Sequence, residues 1–97
     1  MKRHNTQKVG ADTELLSGWV LNKTHSRLNK SFVVDSYIDA LAHVARIAVY
    51  AEIYKHYPVV QIQHDQVSVT IVKKDTSQKI SRDDMRLALK IETIFKH

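Results

Sequence analysis

A chain of 97 residues that is 43% hydrophobic and 26% charged is long enough for one domain with a single core, and too apolar to remain wholly disordered. It contains no cysteine, which excludes a disulfide framework, a thiolate metal site and a cysteine nucleophile, and its only glycines, Gly10 and Gly18, exclude a phosphate-binding glycine loop. The formal charge of +5 and pI of about 9.6 favour an acidic surface as partner; the cations are dispersed without a block of five or six, which reads as a solvated surface and not as a nucleic-acid stripe.

Residues Met1–Gly10 are polar and without periodicity, and are expected to form a mobile basic tail ahead of a single domain spanning 11–97. Asp12-Thr13-Glu14-Leu15-Leu16 predicts one or two helical turns with Asp12 as N-cap and Gly18 as the stop. Trp19–Lys23 and Lys30–Val34 are rich in aromatic and branched residues and predict two strands joined through a polar connection.

Asp35 or Ser36 then caps a long helix over Tyr37–His56. One side of it repeats Ile38, Leu41, Ala42, Ala45, Ala48 and Val49, and the other carries Val44, Ile47, Ala51 and Tyr54, an arc wider than packing on one sheet face requires. The surplus predicts a second copy of the chain as partner, hence a homodimer. Pro58 stops the helix, Val59–Gln63 predicts a third strand, and His64-Asp65-Gln66 a turn. Val67, Val69 and Ile71 alternate with Ser68, Thr70 and Val72 in a fourth strand. After a polar loop at Asp75–Gln78, Ser81 caps a last helix that has an acidic residue three positions on and carries Met85, Leu87, Ala88, Ile91, Ile94 and Phe95.

The order is α-β-β-α-β-β-α, an α+β class. Together with Leu15-Leu16-Ser17-Gly18-Trp19 and Ser81-Arg82-Asp83-Asp84-Met85-Arg86-Leu87-Ala88, it resembles the pterin-4a-carbinolamine dehydratases. The centre of the likeness is Ala51-Glu52-Ile53-Tyr54-Lys55-His56-Tyr57-Pro58, similar to the family's acidic residue followed by two adjacent histidines and a proline. Here Tyr57 stands at the second histidine position, and a gapped alignment sets Lys74 at the third and Lys79 at a glycine position. The resemblance implies a four-stranded antiparallel sheet with helices on one face, and a binding site at Glu52, His56, Tyr57, Pro58 and Lys74.

Dehydrating a carbinolamine needs one group to protonate the departing hydroxyl and another to take a proton from the neighbouring ring nitrogen. Imidazole, titrating near ~6.5, suits both tasks, whereas Lys and Tyr titrate near ~10. His56 alone matches by type, with Tyr57 and Lys74 as vestigial positions. His56 at a helix end can also serve as a carbonyl cap, or be held by Glu52 one turn earlier. No His-Glu-x-x-His motif and no histidine pair with carboxylates at ligand spacing is present, so neither metal nor cofactor is expected.

Family-like proteins without the site histidines resemble assembly factors for RuBisCO in bacteria that build α-carboxysomes. The expectation is therefore a non-enzymatic cytoplasmic chaperone, associated with the carboxysome and binding RuBisCO subunits. Two alternatives are a hydro-lyase with a remodelled site, acting on 4a-hydroxytetrahydropterin, and a dimerisation cofactor or nucleic-acid-associated protein. No apolar run reaches the roughly 20 residues of a membrane span.

Overall fold

The computed structural model describes residues 18–73 and 78–96. The expected tail, the short helix at Asp12–Leu16 and Lys74 lie outside them. Two helices and four strands follow one another as β1 (Val20–Leu21), β2 (Arg27–Val33), α1 (Tyr37–Tyr54), β3 (Val59–Gln63), β4 (Gln66–Val72) and α2 (Arg82–Phe95). All strand pairs are antiparallel in the order β1-β2-β4-β3, with the two long strands central. Val67, Val69 and Ile71 of β4 face inward beside Leu28 and Phe32 of β2, while Ser68 and Thr70 turn to the outer face, the period of two read from the sequence.

Both helices pack on the inner face. Ala40, His43, Ile47 and Ala51 are the buried side of α1, and Met85, Leu87, Ala88 and Ile91 are the buried side of α2. The core stripe of α1 is thus the Ile47–Ala51 side, and the longer Ile38–Leu41–Val49 stripe faces outward, with Ile38 75% exposed. Small residues decide this: Ala40 and Ala51 let the helix approach the sheet closely, and His43 joins the core because its ring stacks on Phe95 at 4.7 Å, which in turn stacks on Phe32 at 3.9 Å.

The first strand is shorter than expected, ending at Leu21, because Asn22 folds the chain back. Its Oδ1 accepts hydrogen bonds from the backbone N–H groups of Ser26 at 2.8 Å and Arg27 at 2.9 Å, and β2 consequently starts three residues before Lys30. On the far side of the core, Glu92 accepts from Trp19 Nε1 at 3.0 Å and pairs with Lys30 Nζ at 2.9 Å, fixing α2 across β2. Lys30 also crowds Gly18, whose φ of 90° is open to glycine and strained for other residues.

Ile47 is 1% exposed at the meeting of both helices and the sheet. Replacing it with alanine is expected to cost about 3 kcal/mol in urea unfolding monitored by circular dichroism.

Candidate functional site

Three chain segments converge at one end of the fold: the exit of α1, the end of β4 and the start of α2. The helix α1 stops before Pro58 because Lys55 takes up a left-handed conformation (φ 55°, ψ 42°). The backbone N–H of His56 then donates to the Ala51 carbonyl at 2.9 Å and that of Lys55 to the Glu52 carbonyl at 3.3 Å, closing the last turn. This reversal carries His56 toward α2. On α2, Ser81 is the N-cap and Asp84 completes a capping box, each side chain bonding the other's backbone.

Asp84 is 1% exposed, and its carboxylate is fully engaged. One oxygen is hydrogen-bonded to Nε2 of His56. The other accepts from Lys73 Nζ at 2.9 Å, from the Ser81 N–H at 2.7 Å and from the Ser81 hydroxyl at 3.1 Å. Burial pushes this carboxyl upward, but the Ser81 N–H, the Lys73 ammonium, the His56 imidazole and the Ser81 hydroxyl outweigh it and hold the group below the usual carboxylate value. The β1–β2 turn braces the arrangement, as its Ser26 carbonyl accepts from the Lys73 N–H at 3.1 Å and its His25 carbonyl from the Ile80 N–H at 2.7 Å.

The cluster sits in a cleft of about 490 Å³ lined on one side by Ile53, Tyr54, Lys55 and His56 and on the other by Ser81, Asp83, Asp84 and Arg86. A carboxylate-oriented imidazole is an arrangement suited to general acid–base work. Asp84 is a positioning group in it, since all its proton-accepting capacity is occupied, and Lys73 is occupied with Asp84.

Of the described residues singled out from sequence, only His56 lines this cleft, Lys74 lying outside the described ones. Glu52, Tyr57 and Pro58 line a separate apolar groove of about 200 Å³ between α1 and β3, and the imidazole is held by Asp84, not by Glu52. Tyr57 is 59% exposed there. Asp84 and Lys73 were not read as site residues. The signal for Asp84 was present as the acidic member of the Ser81-x-x-Asp84 capping box; no sequence signal separates Lys73 from its neighbour Lys74. Among the described residues, no three His, Asp or Glu side chains gather as metal ligands.

Because the Asp84 carboxyl titrates lower folded than unfolded, its contribution is present above the unfolded value of about 3.9 and lost as pH falls through the folded one. Asp84→Asn is expected to cost about 2 kcal/mol at pH 7. That deficit should shrink toward zero as chemical denaturation is repeated below about pH 4. Lys55→Gly relieves the left-handed strain and is expected to stabilise by about 1 kcal/mol, visible as a raised urea midpoint.

The match to known proteins covers nearly the whole chain. The model of the family described as pterin 4 alpha carbinolamine dehydratase matches residues 2–94. A protein from Roseobacter denitrificans that carries the provisional name pterin-4-alpha-carbinolamine dehydratase is 27% identical, the match covering 92% of this chain and 97% of that one. A protein of the same provisional name from Rhizobium etli is 29% identical, with 95% and 92% covered. The crystal structure of a transcriptional coactivator/pterin dehydratase from Brucella melitensis superposes with a TM-score of 0.82 at 22% identity, covering 98% of this chain and all of that one, and so shares the fold. On the strength of the match to the family model, which covers nearly the whole chain, this chain belongs to the pterin 4 alpha carbinolamine dehydratase family.

Proposed function

We propose that this chain is a catalytically degenerate member of its family that works as a binding scaffold, and specifically as an assembly factor for RuBisCO associated with α-carboxysomes. The observation that carries the first part is the occupancy of the cleft. Among the described residues His56 is the one imidazole lining it, its Nε2 is committed to Asp84, and Lys73 and Ser81 take the other carboxylate oxygen. The two proton transfers of a carbinolamine dehydration therefore lack a second imidazole among the described residues lining the cleft, and the other titratable groups there are lysines, a tyrosine and carboxylates. Tyr57 lines a different groove.

Support for the scaffold role comes from surfaces that serve no internal purpose. Ile38, Leu41, Val49 and Ile53 stand exposed along α1, and the chain is basic overall. β1 and β3 are the outer strands of the sheet, so an edge-to-edge homodimer has a strand available for pairing. The RuBisCO assignment rests on the resemblance to assembly factors that have lost the same histidines.

The second reading is a remodelled 4a-hydroxytetrahydropterin dehydratase, and what favours it is the His56–Asp84 pair itself, an imidazole fixed by a carboxylate at the mouth of a cleft.

The two readings separate in a direct dehydration assay of the purified protein beside a His56→Ala variant, joined to co-expression with RuBisCO subunits. The expected result is no turnover above the uncatalysed rate in either protein, and a raised yield of assembled RuBisCO with the wild type. Turnover that disappears in His56→Ala would restore the enzyme. Light scattering at micromolar concentration is expected to show a dimer; a strict monomer would contradict the scaffold model.

A further inference from the structure

We propose that the cleft and its rim form the docking site for an acidic peptide segment of a protein partner, an inference that deepens the scaffold reading by naming the chemistry its partner must present. The charges of the chain are dispersed in sequence but sorted in space. Lys55 and Arg86 line the cleft, and Arg82 stands on the first turn of α2. Lys79 reaches the Thr24 carbonyl at 3.1 Å, and the hydrogen bonds from Ile80 and Lys73 to the same turn bring Lys23 alongside, whereas Arg27 lines a groove on the outer face of the sheet. Lys23, Lys55, Lys79, Arg82 and Arg86 are all exposed.

Among the described residues, few anions stand against them. Asp84 is buried and neutralised by Lys73, Asp83 pairs loosely with Arg86 at 3.7 Å, and Glu52 belongs to the adjoining groove. Asp35, Asp39 and Asp65 gather at the opposite end, where α1 begins and Asp65 receives the Val34 N–H. The 18 residues of α1 separate the two ends by about 27 Å, more than three times the Debye length of roughly 8 Å at physiological salt. The basic end therefore presents its own field, undiluted by the acidic one.

Shape selects the kind of anion. Lys55 and Arg86 line a concavity of about 490 Å³ whose wall also offers Ile53 and Tyr54, so an acidic segment with an apolar residue fits both the charges and the wall. Single-stranded nucleic acid would need aromatic platforms for successive bases, and Tyr54, among the described residues the one Phe, Tyr or Trp in the cleft lining, is stacked on Tyr50 at 6.3 Å between centroids.

The test uses the full isotope-labelled chain and an octaglutamate peptide as probe, followed by amide chemical shifts, with an oligothymidylate of the same length in parallel. Expected are shifts at Lys23–Ser26, Lys55, His56 and Ser81–Arg86 with none at Asp35, Asp39 and Asp65, and weaker binding as salt is raised. The double variant Lys79→Glu/Arg86→Glu, altered only at exposed positions, should bind about tenfold more weakly, while Arg46→Glu on the exposed side of α1 should bind like wild type. Absent or scattered shifts, tighter binding of the oligonucleotide, or an equal loss in Arg46→Glu would each overturn the proposal. RuBisCO yield on co-expression is scored separately. Localised peptide binding without a gain in yield removes the assembly reading and leaves the docking site; a gain in yield without peptide binding does the reverse.

Discussion

The buried carboxylate of Asp84 is the joint on which this end of the fold is built. A single ion at 1% exposure ties together the end of α1 through His56, the end of β4 through Lys73 and the first turn of α2 through Ser81. Ionised carboxylates are costly to bury, and this one is tolerated because both oxygens are satisfied by donors, two of them cationic or able to become so. The geometry of the cleft follows from that satisfaction: α1 must end where His56 can reach Asp84, and the Lys55 turn accepts left-handed strain to bring it there.

Much of this was legible in the chain because local chemistry and fold agree. The alternation in β4, the Ser36 and Ser81 caps and the strand after Pro58 all appear where residue types alone put them. The departures have physical causes. Asn22 carries a side chain that mimics backbone, which shortens β1 in a way no strand propensity reveals. The orientation of α1 could not be read from periodicity, since both of its sides are apolar and only the tertiary stack of His43, Phe95 and Phe32 decides which one faces the sheet. For the site, His56 was recoverable from its place before Pro58, whereas the partnership of Asp84 and Lys73 spans two different elements and depends on how α2 docks against the strand ends.

The surface shows a division of labour between two kinds of feature. Apolar side chains line the outward face of α1, and Lys55, Lys73 and Arg86 line the cleft at its far end. The first suits burial against a flat partner surface and depends little on salt; the second acts at a distance, raising encounter rate and fixing register, and weakens as ions screen it. A chain with both can recognise partners by two separable contributions, one setting how long a complex lasts and the other how it is approached.

The capping box gives Asp84 a task that has nothing to do with turnover. It starts α2, and α2 supplies Met85, Leu87, Ala88 and Ile91 to the core, so loss of the acid would be felt as a folding defect before any chemistry was considered. His56 is bound to the same carboxylate and shares its protection. Within this architecture the pair is therefore no fingerprint of turnover by itself: a chain without any activity would keep both residues for as long as it kept this helix start and this helix exit.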